Sequence, residues 1–203
     1  MSKQYLTDAA QDEREISAFC ELLAAEGVRS YLEIGSKFGG SLWRVATALP
    51  KGSRIVSVDL PGGTRAWSES QVSLKACLQA LTEGGYDARV IWGDSTLKAV
   101  IDQVEAWGPY DAILLDGDHR LDGLVKDWDN YREMGRIVAF HDVAWFRAAT
   151  WQGVRIDVPQ LWNNLRPQYP HREFRYDPSL KNNGIGVLWR DGGGPADAQD
   201  SPP

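Results

Sequence analysis

The run Asp111-Ala-Ile-Leu-Leu-Asp-Gly-Asp-His119 decides the fold. It is a branched apolar stretch that ends abruptly in acids and a histidine. An apolar run of this kind reads as a strand buried on both faces. Its echo, Arg136-Ile-Val-Ala-Phe-His-Asp142, has the same form. Packing does not explain Asp and His clustered at a strand's carboxyl end. In open α/β sheets, ligands bind in the crevice beyond those ends. Two neighbouring strands that deliver Asp116, Asp118, His119, His141 and Asp142 there would build a site for a metal, a proton transfer, or both.

Working outward, helix and strand patterns alternate. Residues 10–26 carry Ile16, Phe19, Cys20 and Leu23 at helical spacing, and 29–34 read as a strand. A helix over 42–49, closed by Pro50, leads to a strand over 53–59. Ser68 and Gln71 fit a capping box for the next helix, which Gly84-Gly85 stops. A strand over 88–92 precedes a helix capped by Ser95 or Thr96, with Leu97, Val100, Ile101 and Val104 on one face. The strand 111–115 is followed by a helix with face Leu121, Leu124, Val125 and Trp128, then by the strand 136–140. Residues 143–172 read as irregular, with a short helix over 158–165. Two late strands, 173–176 and 186–189, flank a turn-rich segment. Strict alternation implies an α/β fold with a parallel, doubly wound sheet and right-handed crossovers. The late pair suggests an antiparallel hairpin on one edge. Residues 1–190 form one expected domain, and the Gly-, Asp- and Pro-rich tail 191–203 is expected to be disordered.

The 203 residues suffice for one substantial core. A net charge of −6 argues against a nucleic-acid partner, which calls for clustered Lys and Arg. Cys20 and Cys77 fall on apolar helix faces and read as core thiols, with no zinc spacing. A polar N-terminus without a signal-peptide pattern, and no apolar run of the ~18 residues a membrane helix takes, make a cytoplasmic setting without a membrane partner the default.

The cofactor side lies at Tyr31-Leu-Glu-Ile-Gly-Ser-Lys-Phe-Gly-Gly-Ser41, between the first strand and its helix. Glycines let a ligand approach the backbone, and a helix start presents unpaired N–H groups. Asp59, at the end of the second strand, suits a carboxylate on two ribose hydroxyls. Nicotinamide dinucleotides and S-adenosylmethionine both fit this geometry. The spacing Gly-x3-Gly-Gly differs from the Gly-x-Gly-x2-Gly that holds a pyrophosphate. Glu33 places a negative charge near the turn, unfavourable to a pyrophosphate and favourable to an ammonium or sulfonium. Charge therefore favours the methyl donor. Gly93-Asp94-Ser95 could reach an adenine edge or simply cap a helix.

These residues resemble the class I S-adenosylmethionine-dependent methyltransferases. The narrower resemblance is to the macrolide-sugar O-methyltransferases and cephalosporin hydroxylase-like proteins. It is carried by Leu32-Glu-Ile-Gly-Ser-x2-Gly-Gly-Ser41, Val-Ser-Val-Asp59, Gly-Asp-Ser95, Ile-Leu-Leu-Asp-Gly-Asp-His119, Ala-Phe-His-Asp142 and Gly-Ile-Gly-Val-Leu188. It implies a Rossmann-like, seven-stranded sheet, mostly parallel with an antiparallel last strand and helices on both faces. It also implies that Glu33, Gly35, Asp59 and Asp94 contact the methyl donor. Ser36, Gly40, Ser41 and Ser95 complete the candidate cofactor-binding set. The resemblance further implies a divalent cation such as Mg2+, at positions that are Asp116, His141 and Asp142 here, with His119 as the basic residue. His141 stands where relatives more often have an acid; imidazole suits manganese, iron or zinc better than magnesium.

The expected chemistry is O-methylation of a small hydroxylated acceptor, a sugar or natural-product intermediate. His119 would be the base, with Asp116 beside it as catalytic carboxylate and metal ligand. Asp118 is equally a candidate helix cap. Trp145, Phe146, Arg147, Trp151, Arg155, Trp162, Arg166, Tyr169 and Arg172 fit an acceptor pocket or a homo-oligomer contact. Arg65 and Trp67 could close over the donor. A nicotinamide-dependent oxidoreductase, a catalytically silent nucleotide-binding module and a metal-dependent hydrolase or hydroxylase remain as alternatives.

Overall fold

The computed structural model describes residues 4–6, 11–61, 70–144, 150–151, 153–176 and 184–194. The chain alternates as α1 (Glu13–Ala25), β1 (Ser30–Ile34), α2 (Gly40–Ala48), β2 (Arg54–Asp59), α3 (Ser70–Glu83), β3 (Asp87–Trp92), α4 (Lys98–Glu105), β4 (Tyr110–Leu115), α5 (Leu121–Tyr131) and β5 (Gly135–His141). A small ribbon, β6 (Thr150–Trp151) with β7 (Val154–Arg155), precedes α6 (Val158–Leu165), β8 (His171–Phe174) and β9 (Ile185–Trp189).

Because side chains alternate along a strand, each central strand feeds two cores. Tyr31, Ile55, Ala112, Leu114 and Ile137 point to one face, with Phe19 and Leu23 of α1, Val45 of α2 and Leu74 of α3. Leu32, Val56, Ile113, Leu115 and Val138 point to the other, with Val104 of α4, Trp128 of α5 and Trp162 of α6. The result is three layers, and the expected helices on both faces are present. Each such side chain contributes about 1.5–3 kcal/mol when fully buried. Cys20 and Cys77 are buried and unpaired, as core thiols.

Seven strands run in the order β3-β2-β1-β4-β5-β9-β8. β1 pairs in parallel with both β2 and β4, and β4 with β5. The chain therefore winds in opposite directions on either side of the β1–β4 boundary, the switch point where such sheets open a crevice. β9 runs antiparallel to both β5 and β8. The last strand is thus inserted between β5 and β8 rather than added outside them.

Local boundaries differ in instructive ways. β8 begins two residues before the expected strand, because His171↔Leu188 and Phe174↔Ile185 set its register. α4 is capped by Leu97 without a side-chain bond, not by Ser95 or Thr96. Asp94 instead accepts hydrogen bonds from the Thr96 N–H and hydroxyl, at 2.9 and 2.7 Å. The helix over 158–165 coincides with α6. The Ser68 end of the expected capping box, Arg65, Trp67 and the tail beyond 194 lie outside the described residues.

Candidate active site at the strand carboxyl ends

The glycine turn after β1 meets the end of β4 backbone to backbone. Gly35 has φ +89°, and a Cβ there would lie 2.4 Å from the Asp116 carbonyl oxygen and 2.6 Å from Gly117 Cα. Only glycine fits both demands. The approach is held by Gly35 N–H to Val58 O and Asp116 N–H to Ile34 O, each 2.9 Å. Gly39, the residue before α2, is also left-handed, and its missing side chain makes room for Cys77 of α3.

Beneath the turn lies a polar network. Glu33 is fully buried. It accepts hydrogen bonds from the Tyr31 hydroxyl at 2.7 Å and the Ser41 hydroxyl at 2.8 Å. Burial pushes its carboxyl up to about 7, against the pull of the Tyr31, Ser41 and Ser36 hydroxyls. Ser36 accepts from the Ser57 hydroxyl at 2.8 Å. The side chains of Glu33, Ser36 and Ser41 thus hold the turn from inside, and Gly40 opens α2 directly above them. Asp59 accepts the Lys37 N–H at 2.6 Å. Burial raises its carboxyl, opposed by the backbone N–H groups of Lys37, Leu60 and Ser36.

The second half of the site is the acid–histidine centre at the ends of β4 and β5. Asp116 Oδ1 lies 3.2 Å from His141 Nδ1 and 3.3 Å from His119 Nε2. His119 Nε2 is also 3.2 Å from Asp142 Oδ2, and His141 Nδ1 is 3.6 Å from Asp142 Oδ1. Four of the five side chains named from sequence therefore converge. His119 is the most open of them, at 26% exposure against 10% or less for the others. Asp142 holds φ +62° to turn its carboxylate back toward the histidines. Asp and Asn tolerate this region better than other side chains.

Burial disfavours charge throughout this centre, yet the pairing outweighs it. The two histidines hold Asp116 far below the usual carboxylate range. Hydrogen bonds to Asp116 and Asp142 raise His119 to about 10. The charges of Asp142 and Asp116 raise His141 to about 9, with His119 opposing. Asp116, His119 and His141 each offer a ligand atom within 4.8 Å of one another. The Asp116 Oδ1 separations from His141 and His119, 3.2 and 3.3 Å, match the edge of a coordination shell built from bonds of about 2.1 Å. Among the described residues, His141 Nε2 and Asp142 Oδ1 are buried without a hydrogen-bond partner. The residues present therefore fit a divalent ion, with mixed imidazole and carboxylate donors that favour a first-row transition metal over magnesium.

The other candidates have local partners. Asp118 pairs with Arg120 through its N–H and guanidinium; it shapes the turn before α5 but does not cap the helix. Ser95 donates to buried Asp127 of α5 at 2.6 Å. Trp162 is a core residue: it is fully buried, its ring fills the space a Gly186 side chain would occupy, and its indole N–H bonds Glu173. Arg166 joins the same Glu173, Arg155 pairs with Asp157, Tyr169 packs on Trp128, and Arg172 lies over Phe174. Trp145, Phe146 and Arg147, and the Trp151 side chain, lie outside the described residues.

Two contributors escaped the sequence reading. Gln11 Nε2 donates to Asp116 Oδ2 at 3.0 Å across 105 residues of chain. Asp157 N–H donates to His119 O at 2.8 Å, while its carboxylate accepts the Leu121 N–H at 3.2 Å. It fixes the loop carrying His119 to the start of α5. Neither sits in a motif; only long-range packing reveals them.

A doubly wound sheet with a reversed strand beside β5, and a glycine turn facing carboxylates across its switch point, is the class I methyltransferase architecture that the resemblance implied. A family model described as "Methyltransferase domain" matches residues 32–143, and the chain belongs to that family. No curated protein matches it significantly by sequence. Among solved structures it is similar to an O-methyltransferase from Bacillus cereus in complex with SAH, at 15% identity and TM-score 0.64, covering 90% of this chain and 83% of that one. It is also similar to the O-methyltransferase TomG from Streptomyces achromogenes, involved in tomaymycin synthesis and solved with SAM. There the identity is 16% and the TM-score 0.65, covering 92% and 86%.

Proposed function

We propose that the protein is an S-adenosylmethionine-dependent O-methyltransferase for a small hydroxylated molecule, a sugar or natural-product intermediate, assisted by a divalent ion. The observation that carries this reading is the convergence of Asp116, His119, His141 and Asp142 directly against the Gly35 turn. The donor compound lies on the turn from Gly35 to Ser41, its ribose toward Asp59 and its adenine toward Asp94 and Ser95. Glu33, buried beneath the turn, supports the donor site through Tyr31 and Ser41. The SAH and SAM in the two similar structures support the choice of donor. Asp116, His141 and Asp142 hold the ion. When bound, the ion lowers the pKa of the acceptor hydroxyl and competes with the protons that the carboxylates favour on the imidazoles.

His119, the most exposed of the four, would take the proton of the acceptor O–H at Nε2 once a bound ion has engaged Asp116 and Asp142 and displaced the proton that these carboxylates favour there. The acceptor oxygen forms the new bond to the methyl carbon as the C–S bond breaks. The sulfur keeps that electron pair, and the sulfonium becomes a thioether. Asp116 and Asp142 orient the imidazole and stabilise the imidazolium that results. The unpaired thiols Cys20 and Cys77 support a reducing, cytoplasmic setting.

Calorimetric titration with S-adenosylhomocysteine, alone and with Mg2+, Mn2+ or chelator, tests the reading. Binding of S-adenosylhomocysteine and a response to Mn2+ stronger than to Mg2+ are expected. Binding of NADH in its place would overturn the donor assignment. Donor binding indifferent to every ion would remove the metal and leave a methyltransferase that works without one.

A further inference from the structure

We propose that Gln11 is a positioning residue of the Asp116 centre, fixing which carboxylate oxygen faces the histidines. The inference rests on the metal-assisted reading above. Gln11 lies just ahead of α1 and is 8% exposed. Its amide N–H occupies Asp116 Oδ2 at 3.0 Å. The opposite oxygen, Oδ1, is the one that His141 and His119 approach at 3.2 and 3.3 Å. One oxygen is thus held by the amide, and the other is presented to the imidazoles and is the one free to join His141 and Asp142 on an ion. The orientation of the amide follows: reversed, its carbonyl would face a carboxylate oxygen.

The other end of the side chain adds an independent observation. Among the described residues, buried Gln11 Oε1 has no hydrogen-bond partner. A side chain retained for packing alone would be better served by Leu or Met, which leave no polar atom unsatisfied. The amide is kept in spite of that cost because of what its N–H does at Asp116. This is the arrangement of an outer-shell group that orients a ligating carboxylate, and loss of such a partner typically weakens metal affinity 10–100-fold.

The test is a titration of the full chain with Mn2+, free ion being followed by electron paramagnetic resonance, alongside S-adenosylhomocysteine calorimetry. Gln11→Met keeps the length and removes the N–H. Its Mn2+ dissociation constant is expected to rise at least about tenfold, with S-adenosylhomocysteine affinity within about twofold of the parent. Gln11→Ala is expected to show the same split, and either folded variant decides the matter. Mn2+ affinity equal to the parent's would overturn the assignment. So would parallel losses of Mn2+ and S-adenosylhomocysteine affinity, which mark a structural role only. A parent chain that binds no ion would sink the metal reading and this inference together, while S-adenosylhomocysteine binding would still report on the donor site.

Discussion

Asp142 is constrained twice, by a left-handed backbone and by a carboxylate placed between two imidazoles. Asparagine tolerates that backbone and alanine does not, at a cost of ~1–2 kcal/mol. Urea denaturation should therefore find Asp142→Ala less stable than Asp142→Asn by about that amount, with ion-stimulated methyl transfer lost in both. Equal midpoints would show that the backbone strain is not borne at this residue. Glu33 makes a pH prediction. Its folded carboxyl sits at about 7, raised by burial from 4.5. Below pH 4.5 both folded and unfolded chains hold the proton and no penalty arises. Between 4.5 and 7 the unfolded chain releases it first, so stability falls as pH rises, by roughly 3 kcal/mol once the transition is complete. The difference in unfolding free energy between the parent and Glu33→Gln should change by that amount from pH 4.5 to 8; a flat difference would contradict the assignment.

At the scale of elements, α6 matched its expected span, but its role changed. The aromatic and arginine residues of 143–172 suggested a pocket or a contact between copies, whereas Trp162 packs between Phe140 and the bare Gly186 of β9. Trp162→Ala should cost about 3–5 kcal/mol, as large core truncations do. The fraction that stays folded should bind S-adenosylhomocysteine as before; loss of that affinity in well-folded protein would return Trp162 to the site. The strands, the glycine turn and the acids after β4 and β5 were all legible, because each is a local pattern closed by a residue type that local physics demands. Gln11 and Asp157 were not legible, because a polar residue outside any motif acquires its partner only when distant segments meet. Asp94 and Ser95 fell between: the sequence offered ligand or cap, and the fold gave them Thr96 and Asp127 as partners.

At the scale of the molecule, the site exists because β1 and β4 are neighbours in the sheet although β2 and β3 separate them in the chain. A donor bound there contacts segments from both halves of the fold. It should stabilise the native state by mass action, by ~2.7 kcal/mol at a hundred times its dissociation constant. Thermal unfolding should show that gain with S-adenosylhomocysteine and none with NADH; the reverse pattern would assign the crevice to a dinucleotide. By itself the sequence determined the alternation of elements, the two-faced strands, the need for glycine at the turn and the identity of the four converging side chains, since periodicity and backbone freedom are local properties. Tertiary structure alone decided that β9 slots between β5 and β8, that Gln11 reaches Asp116, and that Trp162 belongs to the core. Each of these depends on which surfaces, far apart along the chain, are desolvated against one another.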